Sequence, residues 1–259
     1  MIDLINFSAV PVFILIFVRI AAFFVTLPLF SYSTIPTPFK IGFTFFLALI
    51  MYYTVDAADV PVDETYLLLL VKEVMVGLLI GLLAYIILSA VQTAGGFIDF
   101  QMGFAIANVI DPQTGAQSPL TGQYFYTIAL LFLLSVNGHH LLIDGIYYSY
   151  NLIPVETFIP FEDGALAEFV IETFNQMFVI AFQMAIPIVG CLFLVDVALG
   201  IIARTVPQLN VFVVGLPLKI FVSFAAILVF LSLYVVLVER LFSTMFTAMR
   251  NLMHLFGGA

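Results

Sequence analysis

Apolar positions fall into six long runs: Leu4–Phe30, Phe39–Val55, Tyr66–Ala94, Tyr124–Tyr150, Phe169–Ile202 and Val211–Val238. A helix needs roughly 20 apolar residues to cross a bilayer, and runs this long and continuous do not suit barrel strands. All six are predicted to be helical. The second is short, while the third and fifth are long enough to tilt or to project beyond the bilayer. The first run is expected to be a retained span, since the residues before it lack a basic region and it is too long for a cleaved leader. Gly77-x-x-x-Gly81 inside the third run is a spacing that lets another helix approach closely. Pro11, Pro28, Pro187 and Pro217 lie inside runs and free backbone groups that neighbouring helices must satisfy. No fixed-period repeat is visible.

Charged residues interrupt the runs. Arg19 stands near the middle of the first, Lys72 and Glu73 in the third, Asp144 in the fourth, Asp196 in the fifth and Lys219 in the sixth. Each costs about 2.5–3.5 kcal/mol at the bilayer centre, so these residues are expected to face protein or water. Lys40, close to a helix end, can instead snorkel, and Lys219 is open to either reading. The polar block Asn137-Gly138-His139-His140 suggests a helix break within the fourth run.

The stretch from Gly95 to Gly122 differs from the rest. It holds five glycines and two prolines, no Lys and no Arg, which argues against one continuous helix. Its first half carries Phe97, Ile98, Phe100, Met102, Phe104, Ile106, Val109 and Ile110, much apolar surface to leave exposed. Irregular backbone cannot face lipid, because its N–H and C=O groups would lack partners. The stretch is therefore expected to sit inside protein or to line a cavity. A surface loop with an apolar start is the alternative.

Among the connections, Ser31–Pro38 is a proline turn, and Asp56–Glu64 and Asn151–Glu168 are acidic. In Arg204-Thr-Val-Pro-Gln-Leu-Asn-Val-Phe, Pro207 is placed to end the fifth helix and Asn210 to cap the sixth. This predicts a tight helical hairpin with Arg204 and Lys219 near its tip. The tail after Glu239 is amphipathic and carries Arg240 and Arg250.

Composition places the chain in the membrane class. Hydrophobic residues make up 64% and charged residues 9%, with a mean hydropathy of +1.22, against about 25% charged in a soluble domain. A net charge of −9 excludes a general nucleic-acid binder. Lys and Arg should set orientation, but one side would hold Arg240 and Arg250 and the other Lys40, Arg204 and Lys219. Without a usable bias, either some runs are not spans or partners govern insertion. Cys191 is alone, so no intramolecular disulfide forms.

Little catalytic chemistry is offered. His139 and His140, adjacent on a helix, point about 100° apart, whereas paired ligands on one helix sit at i, i+4. Asp56, Asp59, Asp63 and Glu64 could hold Mg²⁺ as in a lipid-processing enzyme, but no matching second cluster exists, and a solvated connection is expected. No nucleophile-elbow, zinc-protease or P-loop motif occurs. Neither an enzyme nor a cofactor is expected.

Gly95-Gly96-Phe97-Ile98-Asp99 with Gly103 and Asp111-Pro112, Asn137-Gly138-His139-His140, and the Arg204–Phe212 block with Gly215-Leu-Pro-Leu-Lys219 resemble the FliR family. These are export-gate subunits of the bacterial flagellar type III secretion system, and the resemblance covers essentially the whole chain. It implies an all-α membrane-associated protein of long, broken helices arranged as hairpins within a multi-subunit channel. It further implies FliP-like, FliQ-like and FlhB-like partners, contact with membrane lipid, and passage of unfolded flagellar proteins across the inner membrane at the basal body. Residues 1–165 would be FliP-like and 166–259 a FliQ-like hairpin with a tail. The six runs would then be a hydropathy count rather than a topology.

The same resemblance implies that a loop plugs the channel; the matching positions are Phe104, Ile106, Asn108, Val109, Ile110, Asp111, Pro112 and Gly115. Together with its basic flanks, it would place Arg204, Pro207, Gln208, Leu209 and Asn210 at the cytoplasmic entrance. The export gate of a virulence secretion system is a related alternative. A secondary transporter, with broken helices and intramembrane ions, is a competing class, but it predicts inverted repeats, which are not seen.

Overall fold

The structure is a computed structural model that describes residues 9–55, 60–104, 109–110, 117–158, 164–206, 208 and 210–257. Among these, the chain forms α1 (Ala9–Thr26), α2 (Thr37–Tyr52), α3 (Glu64–Met102), α4 (Leu120–Ser135), α5 (Gly138–Leu152), α6 (Ala165–Thr205) and α7 (Val211–Gly257). Two short strands, β1 (Val109–Ile110) and β2 (Gln117–Ser118), pair antiparallel with Val109 opposite Ser118 and Ile110 opposite Gln117. The fold is otherwise all-α, as the apolar runs predict.

The fourth run breaks where its polar block predicts, and the elements depart from the six runs in two other places. The fourth run is two helices, broken where Asn137 takes φ 57°, a left-handed conformation that Asn tolerates better than most residues. Helix α3 continues through Gly95–Met102, so the irregular stretch starts at Gly103 and not at Gly95. Each helical glycine costs about 1 kcal/mol relative to Ala, which tertiary packing can outweigh. Helix α7 runs on to Gly257, so the tail after Glu239 is its continuation. By length and composition α3, α6 and α7 can cross a membrane, and α4 with α5 can if counted as one broken span; α1 and α2 are shorter. Among the described residues, three or four helical stretches are thus long and apolar enough to cross, against the six apolar runs marked by hydropathy.

The chain divides into two compact units, Met1–Ile87 with Val136–Phe174 and Thr244–Ala259, and Leu88–Ser135 with Asn175–Ser243. Neither coincides with residues 1–165 or 166–259; α3, α6 and α7 each contribute to both.

In the first unit α1 lies directly on α3. A Cβ on Gly77 would run into the Arg19 carbonyl oxygen and stand 2.9 Å from Ala22 Cβ. One on Gly81 would run into Thr26 Oγ1 and stand 2.8 Å from the Phe23 carbonyl oxygen. The Gly-x-x-x-Gly spacing is thus the seam between the two helices, and Thr26 Oγ1 donates across it to the Leu78 carbonyl at 3.2 Å. Asp63 precedes α3 and accepts from Thr65, whose hydroxyl bond holds its carboxyl below the ordinary range.

This close approach encloses a charged centre. Arg19, Lys72 and Glu73 are buried, the first and last with no exposed surface. Arg19 Nε and Nη2 both donate to the Glu73 carboxylate, the second at 2.8 Å. Arg19 also donates to Ser149 Oγ at 3.1 Å and to the Ile153 carbonyl at 2.8 Å, with its guanidinium carbon 4.1 Å from the Tyr150 ring centroid. Lys72 Nζ lies 2.6 Å from Glu73 Oε1 and donates to the Pro154 and Val155 carbonyls at 2.9 and 3.0 Å. Two cations therefore share one carboxylate. The remaining positive charge rests on carbonyls at the C-terminal end of α5, where the helix dipole is negative.

Removing one partner of a buried ion pair leaves the other uncompensated, at a cost of about 3–5 kcal/mol. Glu73→Leu should therefore lower the steady-state level of membrane-inserted protein sharply. Arg19→Leu/Glu73→Leu should recover part of that loss, which a quantitative immunoblot of isolated membranes would measure.

Candidate functional site

The segment joining α3 to α4 lies in the second unit, and its two ends are held in different ways. At the first end, α3 stops because Gly103 takes φ 92°, with its N–H donating to the Asp99 and Phe100 carbonyls at 3.1 and 3.2 Å. A residue with a Cβ disfavours this φ, so glycine fits the stop. Gln101, two residues earlier, donates through Nε2 to Asp196 Oδ2 of α6 at 2.8 Å. Lys219 of α7 lies 2.5 Å from Asp196 Oδ1 and donates to the Gln101 carbonyl at 3.5 Å. A cation thereby meets the negative end of α3, a favourable pairing with its dipole. The pair is only half-buried, with side-chain exposures of 36% for Asp196 and 21% for Lys219. It borders a cleft of about 360 Å³ lined by Met102, Gly103, Leu199, Gly200, Gly215 and Leu216, among others.

At the second end, the α4 N-terminus presses against α3. A Cβ on Gly95 would run into the backbone of Gly122, and one on Gly122 would stand 2.8 Å from the Gln92 carbonyl. Asp99, 2% exposed, accepts from the Thr121 N–H at 3.0 Å through Oδ2 and from the Thr121 hydroxyl through Oδ1. The first N–H groups of a helix lack intrahelical partners and carry partial positive charge. A carboxylate supplied by a second helix satisfies both demands. One turn further along α4, the Phe125 carbonyl accepts from Tyr234 of α7 at 2.5 Å, and the two rings stack at 4.6 Å.

Of the positions proposed to plug a channel, Phe104 is half-buried and follows Gly103, and Val109 and Ile110 form β1. Ile106, Asn108, Asp111, Pro112 and Gly115 lie outside the described residues. The β1–β2 pairing brings the two sides of the segment together. At the α6–α7 turn, Arg204, Gln208 and Asn210 are exposed, while Pro207 and Leu209 lie outside the described residues. The Asn210 carbonyl accepts from Val213 and Val214 at 3.1 and 3.3 Å, opening α7. Lys219 is not at that tip; it stands two turns into α7, paired with Asp196.

The charges inside the runs fall into three groups. Arg19, Lys72 and Glu73 form the buried centre of the first unit, and Asp196 and Lys219 the half-buried pair of the second. Asp144 is exposed rather than buried, because it falls on the side of α5 away from Leu142, Ile146, Ser149 and Tyr150. The His139 and His140 rings lie 4.1 Å apart, tilted by 39°, and among the described residues no group of three potential metal ligands occurs. Asp56 and Asp59 lie outside the described residues.

Reading the sequence for chemistry passes over Asp99, Gln101 and Thr121, which hold the ends of the segment. Their signal is positional. Asp99 falls one turn after Gly95, and Thr121 directly precedes Gly122, so each polar residue adjoins a glycine at the same helix crossing.

Residues 10–245 match the family described as bacterial export proteins, family 1. The chain is 60% identical to the flagellar biosynthetic protein FliR of Bacillus subtilis over 249 residues, covering 95% of this chain and 96% of that protein. It is 28% identical to the protein of the same name from Escherichia coli, over 90% of this chain and 89% of that one. Its identity to the Yop proteins translocation protein T of Yersinia pestis is 33%, with 78% of each chain covered. With a family match over most of its length and relatives spanning nearly all of it, the chain belongs to family 1 of the bacterial export proteins.

Proposed function

We propose that this chain is the FliR-type subunit of a flagellar protein export gate, in which it and partner subunits form a channel for unfolded flagellar proteins across the inner membrane. The observation that carries this reading is the 60% identity, nearly end to end, with a flagellar biosynthetic protein. The virulence translocation protein, at 33%, stands above the Escherichia coli flagellar protein at 28%, so the choice of the flagellar branch rests on the 60% match. The partners are FliP-like, FliQ-like and FlhB-like subunits, with residues 1–165 kin to the first and 166–259 to the second. No catalytic step is assigned to the chain.

The apolar surfaces support a role inside an assembly. The most apolar window of α3 is 61% buried within the chain, but those of α6 and α7 only 22%. Phe193, Leu194, Phe221, Leu228 and Val229 are each more than half exposed. Such faces need lipid or protein to cover them.

Expressed in a Bacillus subtilis strain lacking its own FliR, this chain should restore swimming. Stable membrane insertion without motility would remove the flagellar assignment.

The segment between α3 and α4 is assigned as the element that closes the resting channel, with Phe104, Ile106, Val109 and Ile110 as apolar filler. A pore wide enough for a polypeptide would dissipate ion gradients if left open. Shortening residues 105–115 should leave assembly with partner subunits intact and make cells leak ions, as a membrane-potential dye would record. Wild-type tightness in a fully assembled, shortened gate would exclude the assignment.

The α6–α7 turn is assigned to the cytoplasmic entrance. In a Cys191→Ala background, Gln208→Cys should react with a membrane-impermeant thiol reagent in inverted vesicles and not in intact spheroplasts. The reverse pattern would place this turn on the other side.

A further inference from the structure

Within the first unit α3 is open on one side, and the opening follows a single row. Leu68, Val71, Met75, Leu78, Leu82 and Tyr85 succeed one another at alternating steps of three and four residues. Leu78 is half-buried, and the other five have from 38% (Leu82) to 59% (Leu68) of their surface exposed. Between them Leu69, Val76, Ile80, Leu83 and Ala84 are buried, so the opening is a narrow seam. Val74 and Leu79 are half-buried at its edges, and the exposed Leu67 widens it only at its start. The rest of the helix is taken: Gly77 and Gly81 are closed by α1, and Glu73 by Arg19.

The spacing says what kind of neighbour fits. Steps of three and four average 3.5 residues, the period of a seam along which one helix inserts its side chains between those of another. Lipid imposes no such period. Carried on along α3, the same steps reach Ser89, Gln92 and Gly96. Those three belong to the second unit and are not part of the row. A hydroxyl, an amide and a glycine are nonetheless what contacts between membrane helices use, and acyl chains gain nothing from them. At about 1.5 Å per residue the row is roughly 26 Å long, a match for a helix rather than a loop. Six half-exposed side chains fall well short of the roughly 800 Å² per partner that a stable pair of chains buries. The row is therefore one helix's share of a wider contact, and it is too small to hold a second copy of this chain by itself. Charge marks one end. Asp63 and Glu64 stand exposed at the head of the row, and Glu64 joins no ion pair among the described residues.

We propose that this row is the docking seam for one helix of a partner subunit: an apolar helix that packs along α3 from Leu68 to Tyr85 and carries a Lys or Arg beside Glu64. This rests on the reading that the chain works inside a multi-subunit gate, and it adds which face meets a partner and what that partner presents there. The two helices cross at about 20°, the angle at which such seams close.

Site-specific photo-crosslinking tests this in the full chain, coexpressed with its partner subunits. p-Benzoylphenylalanine placed singly at Leu68, Met75 and Leu82 samples the row one heptad at a time. Mass spectrometry should put all three adducts in one helix of one partner chain, the attachment point moving about seven residues in a constant direction at each step. Glu64→Lys should lower the Leu68 adduct at least about tenfold, the scale of setting like charges together at an interface. Membrane insertion should stay at the wild-type level, and an acidic substitution of the partner's cation should restore the adduct.

Adducts with phospholipid only, with a differently tagged second copy of this chain, or scattered over several helices would overturn the proposal. So would the absence of any adduct, or an undiminished Leu68 adduct in Glu64→Lys. If the benzophenone blocks assembly, Met75→Cys in a Cys191→Ala background, bridged in turn to single cysteines along the partner helices, gives the same reading. Partners that copurify with the wild-type chain while the row labels only lipid reject the seam and keep the assembly. Partners that do not copurify at all reject the assembly and the seam with it.

Discussion

A guanidinium with no exposed surface, near the middle of a helix that is otherwise apolar apart from its last residue, Thr26, dictates what must surround it. Arg19 cannot lose its charge, so each of its donors needs an acceptor inside the protein. Glu73 supplies two oxygens, and Ser149 and Ile153 one each, which together take four of the five N–H groups of Arg19. For these to reach Arg19, α1 must lie against α3, and the turn after α5 must fold back over both. The seam at Gly77 and Gly81 makes the first approach possible, because the α1 backbone occupies the space a side chain would need. The charged centre and the glycine seam are therefore one device. Glycine alone permits proximity, and the ions fix which helices use it.

The second unit repeats the combination at another crossing. Gly95 and Gly122 let α3 and α4 meet backbone to backbone, and the carboxylate of Asp99, one turn further on, satisfies the N-terminus of α4. In both places a glycine pair sets the distance and a polar group sets the register. The second crossing needs no ion pair, because the α4 N-terminus itself presents partial positive charge.

The sequence made some of this legible and hid the rest for identifiable reasons. Hydrophobic periodicity located the helices, since long apolar runs have few alternatives, and the polar block at Asn137-Gly138 marked the break between α4 and α5. Gly77-x-x-x-Gly81 announced a close contact but not its partner, because the partner is a backbone. Glycine content misled at Gly95-Gly96: two glycines read as irregular, yet tertiary packing at the crossing keeps them helical. Asp144 illustrates a limit of counting charges in apolar runs. Whether a residue faces inward depends on the rotation of its helix, which α5 settles by burying Leu142, Ile146, Ser149 and Tyr150. Asp99 and Thr121 escaped notice because neither belongs to a chemical motif. Their meaning lies in which helix end each one meets.

Cover for the outer faces of α6 and α7 has to satisfy two opposed demands. Phe193, Leu194 and Phe221 are largely exposed, and leaving them in water forfeits roughly 1.5–3 kcal/mol for each large side chain. Lipid would cover them well, but Asp196 and Lys219 belong to the same pair of helices and are themselves partly exposed. Hydrocarbon over that pair would strip the water from two partly exposed ions, a cost of several kcal/mol for each ion. Water suits the ions and not the phenylalanines, and lipid suits the phenylalanines and not the ions. A protein surface can be apolar at one height and polar at another, and so meets both demands on the same helices. That constraint, together with a family of secretion components, favours neighbouring subunits over bare lipid against at least the part of α6 and α7 that carries the ion pair.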